Sequence, residues 1–517
     1  MKKILTLLIL LLPLSVLAQY QNVMITNQVN PNEPSIMIDP NNPSVVMAGS
    51  NLRSVYASLD SGQTWTQNQM SSSYGVWGDP VLIVDTASNF YFFHLSNPSS
   101  GNWIDRIVCQ KSTDNGSSWS NGSYMGLNGS KAQDKEWGIV DQTNNNIYVT
   151  WTQFDDYGSF DPLDSSIIMF SKSLDGGDTW SDAKRINKVA GDCIDEDNTV
   201  EGAVPAVGPN GEIYVAWAGP SGLTFNRSLD EGETWLAEEI FIDPMPTGWD
   251  YGIPGINRAN GLPITVCDLS EGPNHGTIYV NWSDQRNGAD DTDIWFAKST
   301  DGGDTWETAI RVNDDEPGKQ QFFTWMAIDQ TTGILYFVFY DRREHDDIAT
   351  DVYMAISDNG GETFNNFKIS ESPFVPNSGV FFGDYTNISA TNGMVRPAWI
   401  RLHNGSLSMW TAIINFDTAT GIEDQIAEPA FELFQNYPNP ATDETFVSFK
   451  LHESAHVTII TYDALGREMS HPVKNVRYDY GKHIIRLPID KNTFDPGIYY
   501  YSLQIGNKKE TRKLIVN

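Results

Sequence analysis

The sequence predicts an all-β protein: a seven-bladed β-propeller, with a six-bladed ring as the alternative, followed by a small Ig-like β-sandwich. Three observations predict it. An eight-residue signature, S-x-D-x-G-x-T-W, runs from Ser58 to Trp65 and returns in segments ending at Trp119, Trp180, Trp235 and Trp306. It occurs once more, altered, from Ser357 to Phe364, where Asn359 replaces the aspartate. A second repeat, a short apolar strand, a turn and a strand ending in an aromatic residue, runs in step with the first. After about residue 420 the composition changes, and both repeats stop.

Each element has a local reason. In the signature, the aspartate can bond its own turn backbone, the glycine supplies a positive φ, and the tryptophan can pack between neighbouring sheets. The second repeat pairs Pro34–Asp39 with Val45–Ala48, Pro80–Asp85 with Phe90–Phe93, and Trp137–Asp141 with Ile147–Trp151. It continues at Pro205–Val207 with Ile213–Trp217, Pro263–Asp268 with Ile278–Trp282, Trp325–Asp329 with Leu335–Tyr340, and Thr386–Ala390 with Met394–Trp399. These seven copies, each with its following strand and signature turn, describe four short antiparallel strands per unit, the pattern of a propeller blade. The seventh copy has no signature. Its fourth strand is expected from Val23-Met24-Ile25, which would close the ring and remove an exposed sheet edge.

The expected domains are a signal peptide over 1–18, the propeller over 19–420, a linker over 421–430 and a separate module over 431–517. Lys2 and Lys3, an apolar run from Ile4 to Leu17, and Val16-Leu17-Ala18 fit export with cleavage after Ala18. No later stretch has the length of apolar residues that a membrane helix needs. Three cysteines, Cys109, Cys193 and Cys267, exclude a disulfide framework. The net charge is −33, and residues 424–517 hold only 12 of the 66 acidic groups but 11 of the 33 basic ones, so the acidity belongs to the propeller. Such a surface repels phosphate backbones and argues against a nucleic-acid partner. A monomer is expected.

The signature resembles the Asp box, or bacterial neuraminidase repeat, a turn between the outer strands of a sialidase-like propeller blade. The last segment carries Tyr437-Pro438-Asn439-Pro440, Tyr462-Asp463-Ala464-Leu465-Gly466-Arg467, Pro496-Gly497-Ile498-Tyr499-Tyr500-Tyr501 and Lys513-Leu514-Ile515-Val516. It resembles the C-terminal sorting domain of type IX secretion cargo. That resemblance implies recognition by the outer-membrane export machinery and a final place outside the cell, secreted or at the surface.

Chemistry is expected where the loops entering the inner strands and those joining second to third strands meet, at one mouth of the ring. The first set carries Glu33, Asp79, the run Asp134-Lys135-Glu136-Trp137, Glu201, Arg258 and Asp384-Tyr385. The second carries Arg53, His94, Asp284 with Arg286, Asp341 with Arg342 and Arg343, His345, Arg401 and His403. A carboxylate pair flanking a scissile bond is what glycoside hydrolysis requires. Arginines would add bidentate capture of an anionic sugar.

The sialidase resemblance implies an arginine cluster, an aspartic acid proton donor and a tyrosine nucleophile partnered by glutamate. Carried onto this sequence, the candidates are Asp79 as acid, Tyr385 as nucleophile and Glu201 as its partner. Glu33, Arg53, Glu136, Arg258, Asp284, Arg286, Asp341, Arg343, Asp384 and Arg401 would bind substrate. The Arg-Ile-Pro that opens the first blade of that family is absent; Asn32-Glu33-Pro34-Ser35 stands there. The repeated Asp284/Arg286 and Asp341/Arg343 also read as structural ion pairs.

No metal or other cofactor is implied. Asp290-Asp291-Thr292-Asp293 offers oxygen ligands suited to a structural calcium, but without the glycine spacing of an EF-hand it reads as a solvated acidic loop. The expected function is a sialidase-like exo-glycosidase acting on a terminal acidic sugar. One alternative is a glycan-binding adhesin without turnover, in which Trp77, Trp103, Trp249 and Trp325 stack on sugars. A second is a lyase acting on a uronate polymer, with histidine and tyrosine moving the proton.

Overall fold

A computed structural model of the protein describes residues 20–416, 431–451, 454–463, 467–490, 494–505 and 508–517. The expected signal peptide and linker lie outside the described residues. The chain divides into two compact units, Met1–Ala419 and Thr420–Asn517.

The first unit contains seven four-stranded antiparallel sheets. Six are meanders in chain order, such as Ser35–Ile38, Val46–Ser50, Ser54–Ser58 and Thr66–Gln69. Their second strands are nearly continuous apolar runs. Phe90–Leu95 and Ile147–Phe154 are buried at every position, as a strand covered on both faces must be. The fourth strands of these six are short; Thr66–Gln69 is polar and mostly exposed.

The innermost strands are Ser35–Ile38, Val81–Val84, Ala132–Val140, Glu201–Val207, Ile264–Cys267, Gln321–Asp329 and Asn387–Thr391. Each lies against the next, and the last lies against the first, so the sheets form a closed ring. The seventh sheet is completed from the N-terminal side: Gln21–Thr26 pairs with Ser406–Asn415, with Val23 opposite Thr411.

The signature turns hold the ring's periphery. In the first, Ser58 Oγ donates to Asp60 Oδ1 at 2.8 Å and receives the Gly62 N–H at 2.8 Å. Thr64 donates to Asp60 through its backbone N–H at 2.8 Å and its hydroxyl at 2.6 Å. The pattern recurs around Asp175, Asp230 and Asp301 and survives the aspartate-to-asparagine change at Asn359. The closing aromatic then meets a phenylalanine of the preceding blade: Trp235 on Phe170 at 5.1 Å between ring centres, Trp306 on Phe225 at 5.2 Å, Phe364 on Phe296 at 5.4 Å.

The second unit has a three-stranded sheet, Phe431–Leu433, Glu444–Leu451 and Gly481–Pro488, and a four-stranded sheet, Glu468–Tyr478, Ala455–Tyr462, Gly497–Ile505 and Lys508–Val516. Phe449, Leu451, Val457, Tyr501, Leu503 and Leu514 belong to one buried cluster between them. The Pro-Asn-Pro segment is tied in by side chains: Asn436 donates to Thr445 Oγ1 at 2.8 Å, and Asn439 Oδ1 receives the Ile515 N–H at 2.8 Å.

Candidate active site

The loops entering the inner strands share a backbone kink. Glu33, Asp79, Lys135 and Phe323 have φ of 50°, 51°, 53° and 52°, and each stands six residues before the aspartate that follows or ends its inner strand. In the fourth blade the equivalent residue is Gly202, φ 78°. The register slips at this place in the third, fourth and sixth blades. Left-handed backbone at non-glycine residues costs on the order of 1–3 kcal/mol each and persists where the surroundings impose it. Its recurrence here collects charged side chains at one mouth of the ring.

Three of them, Glu33, Asp79 and Lys135, line a cavity of about 430 Å3 together with Asp134, Tyr157 and Arg258. Trp77, Trp103 and Phe381 form part of its wall and remain 36%, 45% and 38% exposed. Trp103 meets Trp77 edge-on at 6.2 Å and Tyr157 at 5.7 Å.

Lys135 is the hub. Its Nζ donates to Asp384 Oδ2 at 2.6 Å and stands 3.6 Å from Asp79 Oδ2 and 4.0 Å from Glu33 Oε1. Arg258 comes from a small hairpin, Asp250–Tyr251 with Ala259–Asn260. It grips both oxygens of Asp384 and reaches Asp195 Oδ2 at 3.0 Å, which also accepts from the Tyr157 hydroxyl at 2.7 Å. Asn51 donates to Glu33 and receives the Asp79 N–H at 2.7 Å, tying the first blade to the second.

Carboxyl groups here outnumber cations, and their protonation divides accordingly. Burial would raise Asp384, but Lys135 and Arg258 outweigh it and hold the group ionised well below the usual range. Burial, then the Asp79 charge, raises Glu33 well above its ordinary value and pushes Asp134 up to about 8. Burial raises Glu136 and Glu201 likewise, and neither has a hydrogen-bond partner on its carboxyl oxygens. Burial alone would discharge Lys135; Asp384, Asp79 and Glu33 keep it charged.

Of the sequence-predicted residues, Glu33, Asp79 and Arg258 line the cavity, and Asp384 is bound to its cations. Glu136, Glu201 and Tyr385 are buried beside this cluster without lining the cavity. Tyr385 borders an adjoining void of about 20 Å3 with Trp137, Lys135 and Asp384. Its hydroxyl has no partner, and burial followed by the charges of Asp79 and Glu33 holds its proton on, the reverse of an activated nucleophile. Among the carboxylates that act on it is Glu136 rather than the expected Glu201.

Six expected binding residues are engaged elsewhere. Arg286 bonds Asp284 at 2.9 Å and Asp243 at 2.6 Å and lies 4.2 Å over the Trp295 ring. Arg343 bonds Asp341 at 2.8 Å, pairs with Asp314, and covers Tyr353. The aspartates of these Asp-x-Arg pairs end second strands, and through Asp243, at the end of the fourth blade's last strand, Arg286 also ties the fifth blade to the fourth. Arg53 pairs with Gln69 at 3.1 Å, and Arg401 lies over Trp410. Of the arginines proposed for the cluster that the sialidase resemblance implies, Arg258 lines the cavity and Arg286, Arg343 and Arg401 do not. Trp249 and Trp325, expected to stack on sugars, are buried.

Two of the three histidines expected at the mouth are hydrogen-bonded, and the third, His403, lies edge-on to Trp410 at 5.6 Å. His94 is held neutral by burial between Leu95 O and Gln110 Oε1, and His345 pairs with Asp351 at 2.8 Å. In the acidic loop Asp290-Asp291-Thr292-Asp293, Asp293 is bonded to Asn287 and Asn313, and no cluster of metal-ligating side chains occurs among the described residues.

Sequence reading assigned no role to Asp134 or Lys135, although both stood in a loop it had marked. It missed Asp195, Asn51 and Tyr157, which carry no spacing signal; only a three-dimensional arrangement joins them.

Fold and site together define an all-β ring with an acidic, aromatic-walled pocket at one mouth, joined in sequence to a sorting unit. Residues 435–517 match the secretion system C-terminal sorting domain family. The match marks the protein as type IX secretion cargo that reaches the cell surface or the medium. No helix among the described residues is long and apolar enough to cross a membrane. No curated protein matches the sequence.

Similar solved structures include the Hadza microbial sialidase Hz136, at 15% identity over 72% of this chain and 73% of that one, TM-score 0.42. The NanB sialidase from Streptococcus pneumoniae is similar at 10% identity over 68% and 70%, TM-score 0.42. A PL25 ulvan lyase bound to -[GlcA(1-4)Rha3S]- is similar at 12% identity over 76% and 96%, TM-score 0.45.

Proposed function

We propose that the protein is an exported glycan-active enzyme that cleaves a glycosidic bond by carboxyl-based acid catalysis at the mouth of the ring. The observation that carries this reading is a set of neighbouring carboxyl groups in opposite protonation states around one sugar-sized cavity. Asp134, pushed up to about 8, retains its proton at neutral pH and burial favours the protonated form of Glu33, while Asp384 is ionised and locked. Environments that push neighbouring acids apart are how one site holds both an acid and a base. In this reading Asp134 donates the proton to the leaving oxygen, Asp79 faces the reacting carbon, and Lys135 orients both Asp79 and Glu33. Trp77, Trp103 and Phe381 supply stacking faces for the ring.

Incubating the full chain with a panel of neutral, amino and acidic glycans tests the reading. Hydrolysis gives new reducing ends without ultraviolet absorbance; a lyase gives products that absorb. Asp134→Asn and Glu33→Gln are each expected to lower kcat by about 10²-fold or more, the usual contribution of a positioned proton donor. Wild-type rates in both variants would remove these groups from the chemistry. kcat/KM should fall as pH rises through about 8, where Asp134 loses its proton. A second reading, glycan binding without turnover, rests on the half-exposed Trp77 and Trp103; it predicts retention of glycans with no product.

A further inference from the structure

The charge balance of the pocket narrows its ligand. Glu33, Asp79 and Asp134 line the cavity, and the cations among its lining residues, Lys135 and Arg258, are already bound to Asp384. An incoming carboxylate or sulfate would meet no free positive group there. Among the described residues no N–H or hydroxyl donates to Asp79 Oδ2, although that atom is buried; Lys135 Nζ lies 3.6 Å from it but donates to Asp384. Glu33 faces the same space from the first blade and Asp134 from the third.

We infer that the pocket takes an amino sugar with a free, positively charged amino group, the ammonium donating to Asp79 Oδ2. This deepens the glycan-active reading and rests on it for the sugar; the charge preference rests on the pocket alone. The ammonium brings N–H donors and a unit charge to a buried oxygen that no donor among the described residues reaches. The sugar ring would stack on the exposed aromatic wall. The surplus of acidic groups over the propeller draws cations toward the mouth.

Calorimetric titration of the full chain at about pH 6.5 tests this, using glucosamine oligosaccharides against their N-acetylated, neutral and uronate counterparts. The expected result is at least tenfold tighter binding of the free-amine oligosaccharide. Asp79→Asn should abolish the preference. Asparagine is well tolerated at the φ of 51° found there, and a thermal melt verifies the fold. Equal or tighter binding of neutral, acetylated or uronate sugars would overturn the amine inference while leaving the glycan reading in place. Binding of a simple diamine with no sugar bound would overturn the glycan reading and support the charge preference. No binding of any of these would overturn both.

Discussion

At the scale of single residues, the ring's mouth stores protons. Asp134, Glu33, Glu136 and Glu201 all bind protons more tightly in the folded chain than in the unfolded one. Their contribution to stability is therefore complete below about pH 4, the ordinary carboxylate range, and is lost as pH rises above it, for Asp134 through about 8. Asp384 acts with the opposite sign: its stabilisation is lost as pH falls below that range. Thermal melts of the full chain should accordingly show the midpoint declining from about pH 5 to about pH 8. Asp134→Asn should flatten part of that slope, corresponding to a few kcal/mol for a group this buried. A midpoint that rises over the same interval would show that these carboxyls are not protonated.

At the scale of elements, the signature turn explains itself once the neighbouring blade is present. A Cβ on Gly303 would stand 2.3 Å from Phe225, and its φ of 91° already disfavours a side chain; Gly232 meets Phe170 in the same way. Gly303→Ala should destabilise the first unit by about 2–4 kcal/mol, from backbone strain plus overpacking, read as a lowered denaturant midpoint. An unchanged midpoint would mean that the blades do not pack through these turns.

The spacing of serine, aspartate, glycine and tryptophan was legible in the sequence because all its bonds are local. The inner strands were legible for a similar reason, since apolar runs flanked by proline and aspartate announce themselves. The pocket was only partly so. Glu33, Asp79, Arg258 and Asp384 could be named from their place ahead of inner strands. Arg286 and Arg343 stood in equally suggestive loops, yet bind aspartates two residues earlier and stack on aromatic rings, Arg286 reaching Asp243 of the preceding blade as well. Nothing in one dimension separates an arginine that pairs with structural aspartates from one that faces the cavity.

At the scale of the whole molecule, the ring's closure is its largest single dependence. Gln21 pairs with Ile413 and Val23 with Thr411, so one seam joins residues nearly four hundred positions apart. Deleting residues 21–26 would leave Ser406–Asn415 as an unpaired edge, and the variant should self-associate, seen as larger species by light scattering. A monodisperse deletion variant would show that the seam is dispensable. The same seam sets an order of events. Because its second half is encoded just ahead of the sorting unit, the cylinder of sheets cannot be finished while any of it is still being made. Until residues 406–415 have been made the first strand has no partner, and the wheel has no latch.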